Sequence, residues 1–122
     1  MIMDIIVADR VHKKFKLKHG QQVNNNGVIS NEIDVLNGFD LKIKKGEFLV
    51  LVGPSGSGKS VFLDLVGGLS SPTSGVVYLD DKPVEAPSAK TGYVFQQYAL
   101  FPWRSALSNI EFGLESDRKS VV

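Results

Sequence analysis

The feature that most constrains this chain is the stretch from Gly53 to Ser60, with the sequence GPSGSGKS. It follows the apolar run FLVLV, Phe48 to Val52, and precedes a second apolar segment that begins at Val61. A short continuous apolar run is typical of a strand covered on both faces, as in a parallel sheet. The sequence therefore predicts a strand, a glycine-rich loop and a helix, in that order.

This order is the context that a phosphate-binding P-loop, G-x-x-x-x-G-K-S, requires. Glycines let the backbone turn its N–H groups toward a polyanion, and the helix start adds unpaired N–H groups and a partial positive charge. Lys59 is predicted to contact the β- and γ-phosphates, and the Ser60 hydroxyl to ligate Mg²⁺. The predicted ligands are thus ATP and Mg²⁺, and the alternative is a glycine-rich turn with a surface lysine. The candidate nucleotide-binding residues are Gly53, Pro54, Ser55, Gly56, Ser57, Gly58, Lys59, Ser60 and Val61.

Composition excludes several other classes of protein. The formal net charge of +1 gives no sign of the clustered basic face that nucleic acid requires. The chain has no cysteine and only two histidines, which argues against disulfides and zinc sites. No apolar run approaches the roughly 18 residues that cross a bilayer. We therefore expect a cytoplasmic chain.

The rest of the sequence predicts an α/β protein. The apolar residues after the loop surround most of the circumference of a helix, which we therefore expect to be buried. The asparagine-rich stretch 19–34 is expected to be a flexible loop. Strands are predicted within residues 2–18, at alternating Phe39, Leu41 and Ile43, in GVVYLDDKPV and in TGYVFQ, and SALSNIEFGL is predicted to be a helix capped by Ser105.

Residues 36–115 resemble the ATP-binding cassette (ABC) family, in particular the ATPase subunits of importers for nitrate, sulfonate and taurine. The P-loop segment and GYVFQQYALFPWRSALSNIEFGLE carry the resemblance, because two motifs occur in the family's order. It implies a P-loop NTPase core with an N-terminal antiparallel β subdomain, and hydrolysis of Mg-ATP. It also implies a transmembrane permease partner, a second ATP-binding subunit, and a peripheral location on the inner face of the cell membrane.

The resemblance assigns roles to residues outside the loop. Gln96 matches the Q-loop glutamine, which contacts Mg²⁺ and the attacking water, with Gln97 as the alternative register. Phe15 matches an aromatic residue that stacks on adenine, although it could instead be a core strand residue. The spacing from Phe15 to Gly53 exceeds the family's, which suggests an insertion within 19–34. Leu100, Phe101 and Trp103 match a surface that faces the membrane subunit, or are ordinary core.

The sequence also departs from the family. Val61 stands where a threonine usually bonds the α-phosphate. Asp80 and Asp81 resemble the acids of a Walker B strand, but Lys82-Pro83 follows them at once, so we interpret them as turn residues. A small P-loop kinase is a further alternative, and it would need a lid rich in arginine. We do not expect it, because Arg104 and Arg118 are the only arginines after the loop.

The family's signature sequence LSGGQ, Walker B acids and switch histidine are not in residues 1–122. We therefore expect a partial nucleotide-binding domain that hydrolyses little or no ATP alone. The alternative is a non-catalytic module that binds nucleotide or a partner. Without the middle strand of the family's sheet, Val50 to Val52 would lose backbone partners, so we expect a marginally stable or associating chain.

Overall fold

The computed structural model describes residues 3–18, 22–25 and 27–120. The chain divides into two compact units, Met1–Ser88 and Ala89–Val122. The first unit contains six strands and one helix among its described residues: β1 Asp4–Lys16, β2 Val23–Asn25, β3 Val28–Ser30, β4 Glu32–Lys44, α1 Lys59–Val66, β5 Ser74–Leu79 and β6 Lys82–Pro83.

An antiparallel sheet with the strand order β4-β1-β5-β6 is the main structure of the first unit. β1 lies at its centre, where Val7 pairs with Lys42 of β4 and with Tyr78 of β5. The predicted N-terminal antiparallel β subdomain is thereby confirmed.

The stretch 19–34 differs from the predicted loop. β2 and β3 pair as a small hairpin within it, and β4 already begins at Glu32. Residues 19–21 and 26 of this stretch lie outside the described residues. Asn24 and Asn25 pair with Ile29 and Val28, so these two asparagines do not prevent a strand. Their backbone N–H and C=O groups find partners in the ladder.

The core of the first unit lies between the sheet and α1. β4 alternates as predicted, with Phe39, Leu41 and Ile43 half-buried. The Phe39 ring meets the Phe62 ring of α1 edge-on, with 5.1 Å between centroids. The buried residues are Ala8, Val11, Leu36, Phe62, Leu65, Val66 and Val77.

Helix α1 buries only one face, whereas the sequence predicts a buried helix. Phe62, Leu65 and Val66 are buried, whereas Leu63 and Leu69 are about half exposed. The sheet of the first unit covers a single face of the helix, and the described residues of that unit place no second layer over Leu63 and Leu69.

The predicted strand at Phe48–Val52 is wrong. Within the described ranges no strand is assigned between residues 45 and 58. Phe48 is 93% exposed and Val52 is 90% exposed, whereas Leu51 packs against the core. The segment therefore covers the core with one side only, and a strand cannot form without a neighbour that pairs with its N–H and C=O groups.

The prediction that Asp80 and Asp81 are turn residues is confirmed. They connect β5 and β6, with Leu79 pairing with Lys82 across the turn. Their φ angles are +53° and +62°, as a two-residue type I′ hairpin turn requires. Aspartate tolerates this left-handed region better than most residues, so the turn itself accounts for the acidic pair.

The second unit contains helix α2, Ala106–Ser120. The predicted cap is confirmed, because Ser105 Oγ accepts a hydrogen bond from Ser108 N at 3.1 Å. The predicted strand in TGYVFQ is wrong, since the described part of this unit has no strand. As at Phe48–Val52, no neighbouring strand is available to pair with it. In the described residues of the whole chain, neither helix has the length and apolar character to span a membrane.

Candidate functional site

Strand β4 supports the end of the glycine-rich loop. Gly58 is buried against β4, and its φ angle is +96°. A Cβ placed there would lie 3.0 Å from Leu36 Cδ2 and 3.2 Å from Val35 O. Glycine is therefore required at this position both for its backbone conformation and for the close approach of the loop to the sheet. The contact fixes the start of α1 relative to β4.

Gly58→Ala is expected to lower the free energy of unfolding by clearly more than Gly56→Ala. Each substitution places alanine in the left-handed region, at a cost of roughly 1–2 kcal/mol. Gly56 has a φ of +83° and open space where a Cβ would lie, whereas a Cβ at Gly58 would also have to displace the buried Leu36. Urea unfolding followed by circular dichroism measures the difference. Equal midpoints for the two variants would show that the contact with β4 does not constrain the loop.

Lys59 bridges its own loop. Its Nζ donates hydrogen bonds to the carbonyl oxygens of Gly53 and Pro54, the latter at 2.7 Å, and to Ser57 Oγ at 3.1 Å. Ser57 N in turn donates to Pro54 O at 3.2 Å. The ammonium group therefore lies over the loop backbone, and the loop itself is exposed. A single ammonium group held beside an exposed glycine-rich loop is suited to binding a chain of phosphates.

The first turn of α1 completes this arrangement. The helix begins at Lys59, and Phe62 N donates to Gly58 O at 2.9 Å. The N–H groups at a helix start have no intrahelical acceptor, so they can bind an anion. Ser60 is exposed, and its hydroxyl oxygen is of the ligand type that Mg²⁺ prefers. The described residues contain no cluster of three His, Cys, Asp or Glu that could hold a metal ion.

Phe15 is not a core residue, so that alternative is wrong. It lies near the end of β1 opposite Ile33 of β4, and 43% of it is exposed. The Lys13 ammonium lies 5.2 Å from the centre of its ring, and Lys13 Nζ also donates to Ser71 O at 2.6 Å. An exposed ring is what stacking on a base needs. Adenine stacking at Phe15 stays a prediction.

Gln96 belongs to the second unit, whereas the loop and Phe15 belong to the first. Gln96 and its neighbour Gln97 are both exposed and lie outside any helix or strand. Of residues 53–61, Gly58 lies against β4 and Val61 packs against the core. The role of Gln96, and the choice between the two glutamines, stay predictions.

Leu100 and Trp103 are exposed, so the interpretation of these two residues as core is wrong. Phe101 is half-buried and contacts both the Trp103 ring and the Phe112 ring, at centroid distances of 5.1 Å and 4.9 Å. Leu100 and Trp103 are accessible to a partner, and the role of this segment as a contact surface stays a prediction.

Sequence reasoning missed the residues that position the loop. Val35 and Leu36 of β4 lie against Gly58. The apolar pair at 35–36, directly before the alternating part of β4, was the available signal. The sequence pattern did not indicate that residues 35–36 would contact Gly58.

The ABC transporter family (ABC_tran) matches residues 36–121 of the chain. An uncharacterized ABC transporter ATP-binding protein of Methanocaldococcus jannaschii is 43% identical over 111 residues, which are 88% of this chain and 42% of that protein. The taurine import ATP-binding protein TauB of Yersinia pestis is 48% identical over 80 residues, which are 66% of this chain and 31% of that protein.

A solved structure shares the fold. The dimeric post-hydrolysis state of the ATP-binding cassette MJ0796, bound to ADP and Pi, superposes with a TM-score of 0.73 at 33% identity. The superposition covers 91% of this chain and 47% of that one. The chain therefore spans less than half the length of each of these three relatives.

Proposed function

This chain belongs to the ABC transporter family of ATP-binding proteins, and from that premise we propose that it binds Mg-ATP through residues 53–61. The observation that carries the proposal is the position of Lys59 Nζ over the backbone of a loop whose last glycine is fixed on β4. The likeness to a cassette solved with ADP and Pi supports the same ligand class.

The proposed roles follow from the chemistry of the side chains. Lys59 and the loop amides hold the β- and γ-phosphates, since a cation and a ring of N–H donors both favour a polyanion. Ser60 would supply one oxygen to Mg²⁺, and the ion would offset the negative charge of the phosphates. Gln96 would orient water beside the γ-phosphate, because an amide can donate and accept without adding charge. Phe15 would stack on the base.

Val61→Thr is expected to tighten Mg-ATP binding about fivefold, as one added hydrogen bond of about 1 kcal/mol would do. By the family resemblance, a threonine hydroxyl here bonds the α-phosphate. Val61 already packs against the core, and threonine keeps its branched shape. Titration calorimetry measures the change, with Val61→Ala as the variant that adds no hydroxyl. Equal affinities for the threonine and alanine variants would contradict the assignment.

We propose that the parent activity is ATP hydrolysis that powers import of a nitrate-, sulfonate- or taurine-like solute. The relative named for taurine import and the segment LFPWRSAL support this class. In the same proposal, the exposed segment at Leu100 and Trp103 faces a transmembrane permease subunit. A second ATP-binding subunit completes the assembly, as the dimeric cassette suggests. The chain would then work at the cytoplasmic face of the membrane.

Titration of the full chain with Mg-ATP by calorimetry, with phosphate release followed in parallel, tests the function. Heat on binding ATP is the expected result, and its absence would contradict the proposed site. Binding accompanied by phosphate release identifies a hydrolytic module. Binding without release is the result expected of residues 1–122, both as a partial hydrolytic domain and as the alternative, a non-catalytic nucleotide-binding module.

A further inference from the structure

A single side chain fastens the turn before helix α2 to the helix itself. Asn109 Oδ1 accepts a hydrogen bond from Phe101 N at 2.9 Å. Its Nδ2 donates to Ser105 O at 2.8 Å, and lies 3.3 Å from both Phe101 O and Arg104 O. Asn109 thus uses both its amide oxygen, as an acceptor, and its NH₂ group, as a donor. Both ends of the turn 101–105 are thereby tied to the second turn of the helix.

Arg104 makes a second connection on the same turn. Its guanidinium carbon lies 5.6 Å from the centre of the Phe101 ring and 5.2 Å from that of the Phe112 ring. Its Nη1 donates to Glu115 Oε2 at 3.2 Å. A planar guanidinium can stack on rings and bond a carboxylate at the same time, which lysine cannot do as well. Arg104 therefore links the turn to the third turn of α2.

The turn anchored by these two residues carries an exposed aromatic side chain. Trp103 is 76% exposed, and its ring contacts the anchored Phe101. On α2, Leu107, Ile110 and Leu114 are also exposed, and spacings of three and four residues place them on one helical face. An isolated helix of this length is marginal in water, so side-chain anchors of this kind decide whether it stays formed.

We propose that Arg104 and Asn109 are positioning residues that keep the turn 101–105 fixed against α2, so that the Trp103 side chain is already ordered before any partner binds. A side chain ordered in advance loses less conformational entropy on association. The identity of the partner rests on the function proposed above, in which this segment faces a transmembrane subunit. The ordering itself is a property of the chain alone and can be measured without a partner.

Trp103 is the only tryptophan, so fluorescence of the full chain reports on it directly. Asn109→Leu and Arg104→Met are each expected to lower the anisotropy of Trp103 emission. Asn109→Leu should also speed hydrogen exchange of the Phe101 amide about fivefold, since one hydrogen bond is lost. Arg104→Lys should restore part of the anisotropy through the charge. Glu111→Leu, a change of an exposed α2 residue, is the matched control and should leave both readings unchanged.

Unchanged anisotropy and unchanged Phe101 exchange in Asn109→Leu would overturn the proposal. If hydrogen exchange in β1 also rises, Asn109→Leu has unfolded the chain globally. The anisotropies of Arg104→Met and Arg104→Lys then test the proposal in its place. A loss of anisotropy equal in Glu111→Leu would likewise count against specific anchoring. Calorimetry with Mg-ATP on the wild-type chain separates the two proposals. Absence of heat contradicts the nucleotide site, whereas the anisotropy results still decide the role of Arg104 and Asn109.

Discussion

Replacing Lys59 by alanine is expected to weaken Mg-ATP binding by about tenfold to a hundredfold. Hydrogen bonds from a charged donor contribute roughly 1.5–3 kcal/mol, which corresponds to that range. The variant also removes the cation that bridges the carbonyl oxygens of Gly53 and Pro54. Those oxygens would then face the phosphates without an intervening positive charge, so the loss should fall near the upper end. Titration calorimetry of the full chain with Mg-ATP measures it.

Two further lysine variants make this result specific. Lys82→Ala removes an equal charge from the β5–β6 hairpin and should leave the affinity unchanged, since Lys82 is exposed on β6. Lys59→Arg keeps the charge but brings a larger, planar group to a small ring of backbone, so an intermediate affinity is expected. An alanine variant that binds as tightly as the wild type would remove the basis for the proposed site.

The loop could be predicted because its chemistry is local. Eight consecutive residues from Gly53 to Ser60 predict a turn followed by the start of a helix, and α1 begins at Lys59. The same holds for the Asp80-Asp81 turn and the Ser105 cap, where a few neighbouring residues decide the conformation. Each of these features depends on hydrogen bonds within a few residues.

Features that depend on distant parts of the chain were predicted less well. The run at Phe48–Val52 has the composition of a buried strand, but a strand is a property of a pair, and no described residue pairs with it. Likewise, α1 is buried on one face because only the sheet covers it among the described residues of its unit. Composition does not reveal how many layers cover a helix. Asn109 illustrates the same limit at a smaller scale, because its contacts with Phe101 depend on how the turn folds back.

The exposed apolar segment has a consequence for the isolated chain, namely concentration-dependent self-association. Phe48, Val50 and Val52 point away from the core, and all three are largely exposed. Unpaired backbone beside apolar, β-favouring side chains with low charge is a template for pairing between chains. Replacing both Phe48 and Val50 by lysine is expected to keep the chain monomeric at concentrations where the wild type associates, because charged side chains on an unpaired edge prevent such pairing.

Light scattering coupled to gel filtration over a range of concentrations measures the effect. The double variant Leu63→Lys, Leu69→Lys is the matched control. It adds the same charge at two exposed leucines outside the segment, one in helix α1 and one after it. If association depended only on net charge, both double variants would be equally monomeric. A wild-type chain that stays monomeric at high concentration would contradict the predicted pairing between chains through Phe48–Val52.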